Sequence, residues 1–509
     1  MRKNILLTLK QCFYRKVRHS AVIINKNALA FLLAVPICLL FAGCGTEGNK
    51  EMNQKAVEEN RDGKQEIQET PESKEMTDSQ EAAEENDKAD DSTKENGNIS
   101  LLCNRSMSFL SETGYYYITE DSQELKNGEY GRHIMYMDFA TKKEVYLCNE
   151  PGCRHRDAKC TSVLTDEIGR NCLLFAAKDK LYLLSRDMTE ENTVTTEILW
   201  DGSGDAAIKK IPTVLYSMGL DGTNRKKEYT FEQDVTVDDI VLWDGKALYF
   251  AAKKISTSKE KDTSYTTASE RELVKFNTKD SRFAKVCSLG TDEEVKWQIA
   301  GCSGGRVILR GTKYNQKLSL KEQMKLSDKE LWDYQNDSKE VYAWLNTKDG
   351  SVKEIYSVKN RADSENSSAL IGNYLYVSHK KTKEIEKVDV RTGEAQKLAT
   401  IKNGFIAGTL SDKLICQDWN GTGDQTLYFM DVNSGKTEHC TLVNKCTGWN
   451  LEIIGETGQQ VLAIYDYEAE EEEEGVWEIY RKQYGLIDKK DLYRGVDGFQ
   501  KIAMKEKGE

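Results

Sequence analysis

Histidine and proline are the scarce residues: among 509 positions there are 5 of the first and 4 of the second. One of the five imidazoles (His19) belongs to a leading segment expected to be removed, so catalytic arrangements are thin. No Gly-x-Ser-x-Gly, no His-Glu-x-x-His and no glycine-rich phosphate loop occurs. A nucleophile elbow, a zincin centre and a P-loop therefore have no motif behind them. Carboxylates are too common for any pair to stand out. No apolar run reaches the roughly 20 residues of a spanning helix, and long helical periodicity is hard to find. A formal charge of −12 without a basic patch argues against a nucleic-acid partner.

What is present is ordered along the chain. Arg2, Lys3, Lys10, Arg15, Lys16, Arg18 and Lys26 form a basic region without an acidic residue, and an apolar run follows from Ala28 to Gly43, interrupted by Pro36. Basic, then apolar, then small is the order of an export signal. The run ends Leu40-Phe41-Ala42-Gly43-Cys44. This resembles the lipobox of bacterial lipoproteins, with Phe41 where Leu is usual. The resemblance implies cleavage after Gly43, a diacylglyceryl group on the Cys44 thiol and acylation of the new amine. Each buried methylene adds about 0.8 kcal/mol, so two or more chains anchor stably. Residues 1–43 are read as a lipoprotein signal peptide, and the mature chain is expected to be lipid-anchored at the extracytoplasmic face of a cell membrane.

From 45 to 98 there is no Phe, Trp, Tyr, Leu or Cys, and 17 acidic residues stand against 7 basic ones. Such a segment cannot bury enough apolar surface to offset the entropy of ordering. Residues 44–98 are read as lipid anchor plus disordered acidic tether, with a reach of about 40 Å.

From 99 to 505 the pattern is β. Short runs rich in Tyr, Val, Ile and Leu recur between Gly, Asn, Asp and Lys turns. One element appears seven times: Tyr115-Ile118, Leu181-Leu184, Leu248-Phe250, Val307-Leu309, Leu375-Val377, Leu414-Cys416 and Val461-Ile464. A second follows each, as in Met135-Asp138, Leu215-Met218, Leu273-Asn277, Tyr342-Asn346, Ile385-Asp389, Tyr428-Asp431 and Trp477-Tyr480. Many lead into turns such as Asp221-Gly222, Asp349-Gly350, Thr392-Gly393 or Ser434-Gly435, which supply the positive φ a hairpin requires. An edge strand then reads Glu144-Leu147, Glu354-Tyr356 or Gln396-Leu398. Repetition of one order of elements at roughly 40 to 70 residues is a propeller signature; a pair of β-sandwiches, the other evenly spaced all-β option, would not repeat one order. The expected fold is an all-β propeller of seven blades, each of four antiparallel strands. A strand near Ile99 to Cys103 is expected to complete the last blade, Leu318 to Leu331 to form an inserted helix, and residues 506–509 to be a disordered carboxy-terminus.

With the lipobox, the acidic tether, the turn from Tyr216 to Arg225 and Leu147-Cys148-Asn149-Glu150-Pro151-Gly152-Cys153-Arg154-His155, the chain resembles a large group of uncharacterised lipoproteins of Gram-positive anaerobes that carry β-propeller domains. The Tyr-Trp-Thr-Asp repeats of low-density-lipoprotein-receptor propellers do not occur. The resemblance implies a propeller and brings no settled activity.

Cys148, Cys153, His155 and Cys160 form the sharpest cluster, C-x4-C-x-H-x4-C. Three thiols and an imidazole are a complete tetrahedral zinc set. Export to an oxidising compartment points instead to a structural disulfide within the loop, the third thiol being left for Cys103 or Cys172. Disulfide is the favoured reading and zinc the alternative; no other cofactor is indicated. Cys440 and Cys446 are candidates for a second disulfide, and Cys287, Cys302 and Cys416 read as buried apolar residues. Glu470 to Glu474 read as a solvated hairpin tip. The stretches 201–205 and 420–424 place oxygens at alternate positions but lack the rest of a calcium loop, and read as turns.

The architecture points to a binding or interaction module displayed at the cell envelope, with a protein or glycan ligand. It is expected to be monomeric and to have no nucleic-acid partner. The alternative is an extracellular carbohydrate-active enzyme with dispersed carboxylates at the propeller channel.

Overall fold

A computed structural model describes residues 99–505 apart from 105, 166–167, 169–170, 187, 190–192, 195, 201–205, 211, 261–262, 292–294, 296, 324, 360–365, 380–381, 402–403, 420–424 and 474–475. The signal with Gly43 and Cys44, the acidic segment, the tail 506–509 and both calcium-like stretches lie outside the described residues.

Seven antiparallel sheets follow one another: blade 1 in residues 108–146, blade 2 in 172–230, blade 3 in 235–291, blade 4 in 298–359, blade 5 in 367–400, blade 6 in 404–439 and blade 7 in 452–501. The seven-bladed propeller expected from the repeats is the observed fold. The two recurring sequence elements are the central pair of each blade. Tyr115 faces Met137 in blade 1, for example, and Leu375 faces Val388 in blade 5. These strands read as near-continuous apolar runs because a blade is covered on both faces. The second strand of blade 2, Lys180–Ser185, is buried at every position after the first.

The cores lie between blades rather than within them. Seven apolar clusters fill the seven junctions. The one between blades 7 and 1 holds Leu462, Ile464 and Leu486 against Tyr115, Met137 and Phe139, and so closes the ring. Each buried Leu, Phe or Met side chain contributes about 1.5–3 kcal/mol.

The hairpin turns set how close adjacent blades come. In blade 6, Asp431 Oδ1 accepts from the Ser434 N–H at 2.8 Å and from its hydroxyl at 2.7 Å, which carries the chain into Gly435 at φ 68. A β-carbon on Gly435 would sit 2.5 Å from the Leu398 carbonyl in the outer strand of blade 5. The same juxtaposition recurs at Gly393 against Ile355 of blade 4, Gly350 against Cys287 of blade 3 and Gly222 against Leu147 at the outer edge of blade 1.

Two expectations differ from what is observed. The first strand, Ser100–Asn104, does not complete blade 7, whose four strands all come from residues 452–501; it pairs with Val235–Trp243 as a fifth strand on the inner edge of blade 3. Closure is made by the carboxy-terminal segment instead. Gln500–Lys501 pairs with Val476–Asp488 of blade 7, and two residues on Ala503 bonds the backbone of Lys142 and Glu144 in blade 1 at 2.8 and 3.0 Å. The single helix expected over 318–331 is two, Leu320–Gln323 and Asp328–Asn336, because Ser327 and Glu330 form a capping box that starts the second. A further helix, Lys489–Arg494, ends on Gly495 in the left-handed region. Among the described residues no helix is long and apolar enough to cross a membrane.

Two predictions test this construction. Gly435→Ala should cost about 3 kcal/mol, combining a left-handed alanine with a clash against backbone. Gly458→Ala, also at positive φ (62) but with open space around it, should cost only about 1 kcal/mol. Urea midpoints of the two variants give the comparison, and equal losses would refute the close-approach argument. The second concerns acid. The Ser434 hydroxyl and N–H hold the Asp431 carboxyl down at about 2, against an ordinary 3.8. The unfolded chain therefore takes up that proton first as pH falls. The stabilisation, about 1 kcal/mol after allowance for solvent screening, is full above pH 4 and lost between 3.8 and 2. Asp431→Asn should lack this component of the acid unfolding curve.

Candidate metal centre

The cysteine-rich segment sits on the outer edge of blade 1. Lys143–Tyr146 runs antiparallel to Tyr130–Asp138, and Val163–Thr165 continues the same edge further along that strand. Residues 147–162 leave the sheet between them and return. Both ends close on one residue: the Leu147 N–H donates to the Ile134 carbonyl at 3.0 Å, and the Ile134 N–H donates to the Ser162 carbonyl at 2.8 Å. The Thr161 hydroxyl donates to the Leu147 carbonyl at 2.9 Å. The segment is an Ω-type loop set into an edge strand in the manner of an oversized bulge.

Inside the loop, Gly152 at φ 72 lets the chain double back, so that the Cys153 N–H reaches the Glu150 carbonyl at 3.2 Å. His155 is itself left-handed, at φ 54, a conformation uncommon away from glycine. A second turn joins the Cys160 N–H to the Asp157 carbonyl at 2.8 Å. Together these turns bring one atom each of Cys148, Cys153, His155 and Cys160 within 4.8 Å of one another. His155 Nδ1 lies 3.4 Å from Cys160 Sγ, and Ser162 Oγ lies 3.2 Å from the same sulfur. Tyr146 stacks on the His155 ring at 4.1 Å, and His133 Nε2 donates to the His155 carbonyl at 2.7 Å.

The electrostatics of the four groups differ. Burial pushes the Cys160 thiol up to about 11, with Ser162 working against it. Burial also acts on Cys148, but the Glu150 N–H, Thr161 and the two neighbouring thiols outweigh it and hold the group below its ordinary value. Burial lowers His155 and His133, favouring the neutral imidazole, which is the ligating form. The set offers three sulfurs and one nitrogen to a soft divalent ion and leaves no position for a reactive water.

No disulfide joins any of the ten cysteines among the described residues. The three thiols of this loop are unbridged and converge on a common centre with the imidazole, an arrangement open to a disulfide or to a metal. The proposed partners of a left-over thiol are elsewhere, Cys103 buried between blades 2 and 3 and Cys172 between blades 1 and 2. Cys440 and Cys446 are likewise unbridged. Cys440 Sγ faces the Leu442 carbonyl in the core between blades 6 and 7, whereas Cys446 Sγ faces the Ala469 carbonyl. Cys416 is fully buried as expected, but Cys287 and Cys302 are half-buried.

The loop also locks onto the next blade. Arg225, in the outer hairpin of blade 2, donates to the Val163 carbonyl at 2.8 Å and to the Thr161 carbonyl. Asn149 Nδ2 donates to Asp221 Oδ2 at 2.9 Å.

A second feature escaped the sequence reading. A cavity of about 430 Å³ lies where blade 3 ends against the inserted helices of blade 4, walled by Trp297, Tyr314, Tyr334, Lys313, Gln316 and Lys317 among others. The Tyr314 and Tyr334 rings stack parallel, 4.5 Å apart.

No family model and no curated protein matches this sequence. Solved structures with a similar trace include a puromycin-hydrolyzing peptidase of Mycobacterium tuberculosis, at 10% identity and TM-score 0.44 over 80% of this chain and 54% of that one. This chain thus spans about half the length of that peptidase. TolB from Acinetobacter baumannii matches at 12% identity and TM-score 0.30, over 73% of this chain and 76% of that one. An oligogalacturonate lyase in complex with manganese matches at 10% identity and TM-score 0.35, over 66% of this chain and 87% of that one.

Arg225→Ala tests the lock. It leaves two carbonyls at the base of the loop without their charged donor, which should cost about 3 kcal/mol. It should also open the loop to trypsin at the exposed Arg154, Arg156 and Lys159. Limited proteolysis read by mass spectrometry checks this; an unchanged cleavage pattern would mean that the loop holds itself.

Proposed function

We propose that this chain is a cell-envelope lipoprotein that displays its propeller as a binding module, and that the ligand is a glycan. The observation that carries the reading is the cavity between blades 3 and 4. Trp297, Tyr314 and Tyr334 give its wall an aromatic lining, Lys317 offers a cationic donor beside the Lys313–Glu354 ion pair, and Gln316 offers an amide. Sugars present apolar C–H faces and dense hydroxyls together, and a pocket of aromatic walls with a few convergent polar groups suits both. Glycoside hydrolysis calls for a facing pair of carboxylates; the described residues lining the cavity include none, and Glu354 beside it is held in an ion pair by Lys313. Anchoring through Cys44 and the acidic tether would hold the propeller off the membrane.

Two experiments test the proposal. Isothermal titration of the purified protein with soluble envelope polysaccharides should give saturable binding that Tyr334→Ala and Lys317→Ala each weaken by about tenfold, or 1.4 kcal/mol. Shortened products appearing in the same mixtures would favour the carbohydrate-active enzyme, and no retention of any glycan would sink the binding reading. For the anchor, Cys44→Ala should abolish incorporation of labelled fatty acid and release the chain from the membrane fraction. Retention of the variant on membranes, together with an uncleaved signal in the wild type, would overturn it.

A further inference from the structure

We infer that Cys148, Cys153, His155 and Cys160 bind one zinc ion, and that this ion is the core of the loop 147–162 and fastens blade 1 to blade 2. Three observations carry it. The donor atoms already lie within 4.8 Å of one another, close to the edge of about 3.8 Å that three Zn–S bonds of 2.3 Å impose on a tetrahedron. Four donors complete the coordination of zinc, which makes the site structural rather than catalytic.

The second observation is the loop's own composition. Its apolar cluster consists of Leu125, Val163 and the three cysteines themselves. Long loops without secondary structure are uncommon in compact domains, and two aliphatic side chains cannot offset the ordering of this one. Every other apolar cluster among the described residues lies between two blades; three of the five members of this one are cysteines, and a structural metal is what supplies folding free energy in such a setting.

The third is the conformation of His155. Its backbone is left-handed (φ 54), a conformation uncommon away from glycine, and what the turn achieves is delivery of Nδ1 to within 3.4 Å of Cys160 Sγ. The surroundings hold the ring there, with Tyr146 stacked on it and His133 bonded to its carbonyl. Outer contacts that orient a ligand in this way are usual around metal centres. Asn149, Thr161 and Val163, in or beside the loop, hydrogen-bond blade 2, so an ion holding the loop also holds the junction.

The test uses the full mature chain purified without reductant or chelator. Elemental analysis should find one zinc per chain, and alkylation of the denatured, chelated protein should find Cys148, Cys153 and Cys160 all as thiols. A chelator should speed tryptic cleavage at Arg154, Arg156 and Lys159 by about tenfold, and added zinc should restore resistance. Cys153→Ser and His155→Ala should lose the metal, while Cys302→Ser, in the inner strand of blade 4, should keep it. A metal-free chain with a disulfide among the three cysteines would overturn the inference, as would iron in place of zinc. If the two ligand variants fail to fold, the zinc content and thiol count of the wild type still decide.

Discussion

The closeness of the hairpin turns of blades 2, 4, 5 and 6 to the blade before them is the constraint on which the rest of the structure depends. At Gly435 and Gly393 a single β-carbon would fall within 2.6 Å of the preceding blade's backbone carbonyl. That approach fixes the spacing of the outer strands, and the spacing decides which side chains meet in the seven interblade cores. Asp431 and its counterparts bend the chain so that glycine arrives at this position, and their short bonds to the following N–H groups keep it there. A blade is thus registered twice, by apolar packing over its faces and by its turn at the rim.

The central strands and turns were legible because both carry local signals: β-branched and aromatic runs for the strands, Asp or Ser before Gly for the turns. The inner strands were not. Ser108–Leu110 has three residues, and Gly404–Thr409 contains two glycines and no alternation. Such segments become strands because a neighbouring blade supplies a partner, which is a tertiary fact. The path of closure was illegible for the same reason. Ser100–Asn104 has the composition of a strand, but nothing local distinguishes the edge of blade 3 from that of blade 7. The helix over 318–331 was placed in the right insertion and misread in length, since the apolar spacing of Leu320 and Leu326 continues through the Ser327 cap that interrupts it.

At the cysteine loop the sequence named the residues and left their chemistry open. Spacing alone cannot separate a disulfide from a metal set, because both need thiols brought together by a turn. What the structure adds is the position of the imidazole, which depends on a backbone conformation at His155 that composition does not reveal. The aromatic cavity was illegible for another reason. Trp297, Tyr314 and Tyr334 belong to a loop, a strand and a helix, and they meet only because the insertion in blade 4 folds back against the end of blade 3.

The amino-terminal strand ties these features together. Ile99 is buried in the same core between blades 3 and 4 that holds Trp297, so the chain joins the ring at the interface that carries the cavity. Because Gln500–Lys501 and Ala503 close the ring between blades 7 and 1, Ser100–Asn104 is released from that task. It lies instead along the inner edge of blade 3, taking up backbone groups of Val235–Trp243 that would otherwise face the axis. In an anchored chain, a pull on the tether would load this one strand in shear against blade 3. It would not bear directly on the closure, which lies two blades away, nor on the cysteine loop at the outer edge of blade 1. A fold whose attachment sits on blade 3, while its closure and its loop lock both sit on blade 1, can be tethered at one point without transmitting that load to the contacts that keep the ring shut.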